Sequence, residues 1–295
     1  MPTDRQIARQ ISYAHSAQGP GGRAIIRALE TATGRIGLIR RAAGYETEIA
    51  AGADFWQVMV DRYGLALDVV HGTLSNIPAD GPLVVVANHP YGILDGLILG
   101  HLLAMTRGDF RILAHKVFLQ ARELENVILP VNFDESKAAM AENLAVRKTA
   151  LDYLGQGGAI GIFPGGTVST SATPMGRPMD PSWRSFTARM VARSGATVVP
   201  VYFDGANSRL FQLASHLHYT LRMGLLIREF KRQTDKPVRI SIGKPIDPGE
   251  IAARARDPRV LMDFLRKSTY ALSPTPCAAA TRGFEFDAAW KRREG

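Results

Sequence analysis

Residues 83–87 read Leu-Val-Val-Val-Ala, a run with no polar residue at any position. A strand that is apolar throughout is covered on both faces, which is typical of a parallel sheet with helices on either side. Asn88 and His89 follow at once, and then the turn-forming residues Pro-Tyr-Gly. Ligands of open α/β sheets bind beyond the carboxyl ends of the strands. This stretch therefore predicts both the fold class and the sheet edge that carries the site.

Further β-branched runs alternate with longer helical patterns along the chain. The seven predicted strands are 65–71, 83–88, 111–115, 127–132, 159–163, 197–203 and 238–243. Strands that alternate with helices are typical of layered α/β proteins. We predict an α/β fold whose mixed, largely parallel central sheet of about seven strands is flanked by helices, with an N-terminal helical segment.

The pattern divides the chain into a helical region over 1–62, an α/β domain over 63–250, and a C-terminal helix and tail over 251–295. Two helical segments, 23–44 and 208–233, are amphipathic and rich in arginine. Each is open to two interpretations. Its apolar face packs on the main domain, or that face lies on a membrane surface.

Composition limits the partners. The 295 residues include 36 Lys and Arg against 27 Asp and Glu, which gives a formal net charge of +9 and favours an anionic partner. Nucleic acid, an acidic membrane surface and phosphorylated or carrier-bound substrates all have that sign. The single cysteine, Cys277, excludes an intramolecular disulfide and a cysteine-based zinc site. We expect no metal ion and no cofactor.

The N-terminus, Met-Pro-Thr-Asp-Arg-Gln, lacks the apolar segment of a signal peptide. The best candidate for a membrane span, 92–105, contains Asp95 and His101. We expect a cytoplasmic protein that lies on the inner face of the membrane without crossing it.

His89 and Asp95 are the first candidate pair. A helix that starts at about residue 94 would bring Asp95 back over its own first turn towards the imidazole. A carboxylate at one ring nitrogen fixes the tautomer and raises the basicity of the other nitrogen, which makes a general base near neutral pH. The alternative is a helix-capping aspartate beside a structural histidine. The residues alone leave both interpretations open.

A glycine-rich turn follows another predicted strand, in the stretch 157–169. Glycines let the backbone approach a ligand closely, and the N–H groups of such a turn can hold an anion or a developing oxyanion. The stretch has neither the spacing of a P-loop nor that of a dinucleotide fingerprint, which disfavours nucleotide binding.

Together the two segments resemble the glycerolipid acyltransferase family, which includes lysophosphatidate and glycerol-phosphate acyltransferases. That family has Asn-His, four variable residues and Asp, and later Phe-Pro-Glu-Gly-Thr followed by Arg-Ser. Here the segments read Asn-His-Pro-Tyr-Gly-Ile-Leu-Asp over 88–95 and Phe-Pro-Gly-Gly-Thr-Val-Ser over 163–169. The resemblance extends over roughly 68–243.

Three positions depart from the family pattern. Five residues separate His89 from Asp95, so the pair meets only if the turn at Gly92 absorbs the additional residue. Gly165 and Val168 replace the family's Glu and Arg, which are associated with holding the glycerol phosphate of the acceptor. These departures resemble a bacterial branch whose relatives include enzymes that O-acylate amino-acid lipids.

The resemblance implies a peripheral O-acyltransferase of lipid synthesis that uses acyl-CoA or acyl carrier protein as donor and a lysolipid as acceptor, either lysophosphatidate or a monoacylated amino-acid lipid. It implies catalysis by His89 and Asp95. The implied substrate-binding residues are Asn88, Lys116, Gly165, Gly166 and Thr167.

Two other classes remain as alternatives. A lipid-binding protein that keeps the fold without turnover is suggested by the changed spacing. A nucleic-acid binder is disfavoured, because the basic residues are scattered and no binding motif is present.

Overall fold

The computed structural model describes residues 12–17, 19–115, 122–131 and 137–286. It contains nine strands, numbered along the chain. They are β1 (Ala66–His71), β2 (Leu83–Ala87), β3 (Arg111–His115), β4 (Ile128–Val131), β5 (Ala159–Ile162), β6 (Thr170–Ser171), β7 (Pro178–Met179), β8 (Thr197–Phe203) and β9 (Pro237–Ile242). The short strands β6 and β7 form an antiparallel pair of their own.

The other seven strands form one sheet in the order β1-β9-β8-β2-β5-β3-β4. The five strands from β8 to β4 in that order are mutually parallel. Strand β9 is antiparallel to β8 and parallel to β1. The predicted mixed, largely parallel sheet of seven strands is therefore confirmed, and the carboxyl ends of its five parallel strands meet at one edge.

Eleven α-helices surround the sheet in the described part of the chain. They are α1 (Pro20–Thr33), α2 (Arg35–Ala42), α3 (Tyr45–Ala50), α4 (Phe55–Arg62), α5 (Ile93–Arg107), α6 (Lys137–Gly155), α7 (Ser185–Ser194), α8 (Arg209–Leu217), α9 (Tyr219–Gln233), α10 (Pro248–Arg254) and α11 (Pro258–Tyr270). Short 3-10 turns span Ala14–Ser16, Leu74–Asn76 and Arg122–Leu124.

Strand β2 shows why the sheet is covered on both faces. Its five side chains have no exposed surface. Leu83, Val85 and Ala87 pack in a hydrophobic cluster with α2, α4, α5 and α9, whereas Val84 and Val86 pack with α6, α7 and α11. The N-terminal helices thus share one core with the α/β region.

Each of the two predicted amphipathic segments is divided into two helices. Gly34 separates α1 from α2 with a φ of 133°, and a Cβ at this position would come within 2.0 Å of the Lys231 side chain. His218 separates α8 from α9 in an extended conformation, and its Nδ1 accepts a hydrogen bond from Thr220 N. Among the described residues, no helix combines the length and the apolar character that a membrane span requires.

Candidate functional site

His89 and Asp95 meet at the carboxyl end of β2. Nδ1 of His89 lies 2.9 Å from Oδ2 of Asp95, although five residues separate them in the chain. Gly92 makes this approach possible, because its φ of 98° and ψ of −121° belong to a region that residues with a side chain rarely adopt. The turn thereby absorbs the additional residue.

Asp95 has a second role at this turn. It occupies the third position of α5, and its Oδ2 accepts hydrogen bonds from the backbone N–H groups of Tyr91 (2.8 Å) and Gly92 (2.9 Å). Asp95 is therefore both a helix-capping residue and the neighbour of the imidazole, so the two interpretations of the sequence hold together. Burial raises the pKa of Asp95, and the His89 ring and the two N–H groups oppose that shift.

The main chain of His89 is held on both sides by the segments that follow the glycine turn. Its N–H donates to Oδ1 of Asp180 (3.2 Å), and its carbonyl oxygen accepts from Ser169 N (2.7 Å). Its ring stacks on Phe163 at 4.4 Å between centroids. The side chain is 19% exposed while Nδ1 is buried, so the accessible part of the imidazole lies away from Asp95.

Asp180 is a fully buried carboxylate that joins β7 to this site. Besides the His89 N–H, its oxygens accept hydrogen bonds from Ser169 Oγ (2.5 Å) and Trp183 Nε1 (2.8 Å). A Cβ on Gly165 would lie 3.3 Å from the Asp180 carboxyl carbon. Glycine at position 165 thus lets the turn pass directly over the buried carboxylate.

The glycine turn itself follows β5. Gly166 has a φ of 68°, and its N–H donates to the Phe163 carbonyl oxygen (3.0 Å). The N–H groups of Gly165 and Thr167 have no acceptor among the described residues. Each is a backbone donor that the turn itself leaves unpaired.

Arg222, which lies on α9, binds the C-terminal part of the glycine turn. This buried guanidinium donates to Thr167 Oγ1 (3.2 Å), the Val168 carbonyl oxygen (2.8 Å) and Thr170 Oγ1 (2.6 Å). It also lies over the Phe211 ring, 4.9 Å from the centroid. The conformation of the glycine turn is therefore fixed by a residue more than fifty positions later in the chain.

Asn88 faces away from the accessible ring. Its Nδ2 donates to the Phe203 carbonyl oxygen (3.0 Å), and its Oδ1 accepts from Phe203 N (2.7 Å). The side-chain amide thus continues the pairing of β2 with β8 past the end of β2. This places Asn88 as a positioning residue behind His89, and a contact with substrate stays a prediction.

Comparison with known proteins identifies the kind of enzyme to which this site belongs. The model of a family described as acyltransferase matches residues 52–278. The chain belongs to this acyltransferase family. Two relatives are named lyso-glycine lipid O-acyltransferase. The protein of Phocaeicola vulgatus is 25% identical over 75% of this chain and 78% of its own length. That of Bacteroides thetaiotaomicron is 23% identical over 77% and 82%.

A solved structure of the 1-acyl-sn-glycerophosphate (LPA) acyltransferase PlsC from Thermotoga maritima is also similar. It is 17% identical, with a TM-score of 0.46 over 76% of this chain and 78% of that chain.

In this acyltransferase, the structure brings together most of the residues that the sequence singles out. His89, Asp95, Gly165, Gly166 and Thr167 all lie at the carboxyl edge of the parallel strands. Lys116 lies outside the described residues. Sequence reasoning missed Asp180 entirely and placed Arg222 only within a basic amphipathic segment. Neither carries a local motif, because each reaches the site through contacts that are distant in the chain.

Proposed function

We propose that the protein is a lysolipid O-acyltransferase, which moves a fatty acyl group from an acyl thioester to the hydroxyl of a lysolipid. The observation that carries the proposal is the contact of the buried Asp95 carboxylate with His89, whose accessible side faces away from that carboxylate. The names of the two lyso-glycine lipid relatives support the same substrate class.

In the proposed reaction, Nε2 of His89 accepts the proton of the acceptor hydroxyl as its oxygen attacks the thioester carbonyl carbon. A new C–O bond forms and the C–S bond breaks. The imidazolium then gives its proton to the departing thiolate, so the products are an ester and a free thiol. Asp95 stabilises the imidazolium throughout, and no covalent enzyme intermediate is required.

The glycine turn supplies backbone donors in this scheme. The N–H groups of Gly165 and Thr167 are candidates for the negative oxygen of the tetrahedral intermediate or for an acceptor oxygen. Donors fixed in place before the reaction stabilise developing charge without reorganisation. Arg222 binds Thr167 and the Val168 carbonyl oxygen, and the Asp180 carboxylate accepts from Ser169 and lies against Gly165.

For the acceptor we propose a monoacylated amino-acid lipid ahead of lysophosphatidate. The relatives are named for a lyso-glycine lipid. Gly165 and Val168 stand where the family resemblance places the residues that hold glycerol phosphate. The donor is acyl-CoA or acyl carrier protein, whose phosphates Lys116 and scattered arginines would attract. We place the enzyme on the cytoplasmic face of the membrane.

The test is acyl transfer from labelled acyl-CoA and acyl carrier protein to lyso-glycine lipid and to lysophosphatidate. We expect transfer to the amino-acid lipid, and its loss in His89→Ala. His71→Ala is the matched control, because His71 is an exposed histidine at the end of β1. A folded wild-type protein that binds lipid but transfers no acyl group with any donor would overturn the proposal in favour of a non-catalytic lipid-binding protein.

A further inference from the structure

Helix α8 exposes a row of leucines. Leu210, Leu213 and Leu217 are 49%, 41% and 70% exposed, and their spacing places them on one side of the helix. Met175 is 71% exposed and lies at the start of this helix, where Arg209 Nη1 donates to the Met175 carbonyl oxygen (3.0 Å). The four side chains present aliphatic surface to the solvent.

Two arginines adjoin these side chains in the sequence: Arg177 is two residues after Met175, and Arg209 immediately precedes Leu210. Residues 171–179 and 205–228 contain arginines but no aspartate and no glutamate. Arg209 donates to backbone carbonyl oxygens, and Arg177 donates to carbonyl and hydroxyl oxygens. Within the described part of the chain, neither guanidinium forms an ion pair, so no carboxylate neutralises either charge.

The opposite side of α8 packs on the segment that leads from the glycine turn. Phe211 is fully buried in a cluster with Val168. Gln212 Oε1 accepts from Ser171 N (3.0 Å), and His216 Nε2 lies 2.9 Å from the Ser171 carbonyl oxygen. Since a helix with its side chains is about 10 Å wide, the exposed row lies roughly one helix diameter from the segment that supports His89.

We propose that this surface docks on an anionic bilayer, with the aliphatic side chains in the interface and the two arginines at the lipid phosphates. We call it the α8 surface. It consists of Met175, Arg177, Arg209, Leu210, Leu213 and Leu217. An aliphatic row flanked by cations is the composition that binds the boundary between headgroups and acyl chains. The inference rests on the proposed function, because an enzyme that acylates a lysolipid meets its acceptor at a bilayer.

The test is co-sedimentation of the full chain with vesicles, without substrates. We expect binding to vesicles that contain phosphatidylglycerol, weaker binding to pure phosphatidylcholine, and a decrease at high salt. The double variant Leu213→Asp, Leu217→Asp should lower the partition coefficient at least about tenfold. Leu144→Asp is the matched control, because Leu144 is 63% exposed on α6, which packs on the other face of the sheet.

A fluorescent label gives an independent readout. An environment-sensitive dye on Leu217→Cys in a Cys277→Ser background should shift to the blue with anionic vesicles, and a dye on Leu144→Cys should not. Equal binding by the double variant and the wild type overturns the proposal. So does a double variant that changes only the oligomeric state, which would assign the surface to contact between copies. Binding that maps to α8 without any acyl transfer would instead overturn the proposed function alone.

Discussion

Replacing Asp95 with asparagine removes the charge behind His89 and keeps the size of the side chain. Unit charges 2.9 Å apart attract by about 6 kcal/mol at an effective dielectric constant of about 20. The amide dipole retains part of this interaction, so we expect the barrier to rise by about 3–5 kcal/mol. The corresponding loss in kcat is about 10²- to 10⁴-fold.

The assay is single-turnover transfer of a labelled acyl group to saturating lysolipid, which isolates the chemical step. Asp109→Asn is the matched control, because Asp109 precedes β3 at the opposite edge of the sheet and is largely exposed. We expect that variant to transfer at the wild-type rate. Asp95→Asn with a rate within threefold of the wild type would refute the role of the carboxylate as the partner of a general base.

We expect Asp95→Asn to change the free energy of unfolding as well, and this effect can be measured separately from its effect on catalysis. Burial raises the pKa of Asp95, so its charged form costs free energy in the folded state. That cost is absent below the unfolded-state pKa of about 4, grows as the pH rises towards the folded-state pKa, and is constant above it. Asp95→Asn lacks this cost, so its free energy of unfolding relative to wild type should increase with pH from about 4 up to the folded-state pKa of Asp95 and then level off. Urea denaturation at several pH values measures it, and the opposite slope would contradict the reasoning.

Three further substitutions test the supports of the site. Gly92→Ala should destabilise the fold by about 1–3 kcal/mol and reduce transfer, because alanine is strained at a φ of 98°. The matched control is Gly96→Ala inside α5, where an added Cβ has open space, and we expect this variant to keep the wild-type stability in thermal denaturation. Arg222→Met should cost about 2–4 kcal/mol and lower kcat, whereas Arg232→Met, at an exposed position, should change stability by less than about 0.5 kcal/mol. Asn88→Ala leaves two buried backbone groups unpaired, so urea denaturation should show a loss of about 2–3 kcal/mol.

The strands could be predicted closely because their signal is local. Each of the seven predicted runs corresponds to a strand of the sheet, and the described ends differ by about one residue. The order of the strands carries no such signal. The apolar runs of β5 and β8 do not say that both pair with β2, because pairing depends on contacts between residues far apart in the chain.

The site shows the same division between local and distant information. His89 and Asp95 lie within one turn and its helix, so their approach could be inferred from the loop and the helix start. Asp180 and Arg222 act on that loop and on the glycine turn from later elements. A buried carboxylate in an irregular segment and an arginine within an amphipathic helix are indistinguishable by sequence from surface residues.

The additional residue between His89 and Asp95 indicates what this pair of side chains requires. The Asp95 carboxylate is placed by the start of α5, where the N–H groups of Tyr91 and Gly92 bind its Oδ2. The imidazole is placed by the end of β2 and by the bonds to its main chain. The connecting loop only has to join the two positions, and a glycine with positive φ lets a longer loop do so. An aspartate at the third position of the helix that follows the histidine is therefore a more informative feature than a fixed number of intervening residues.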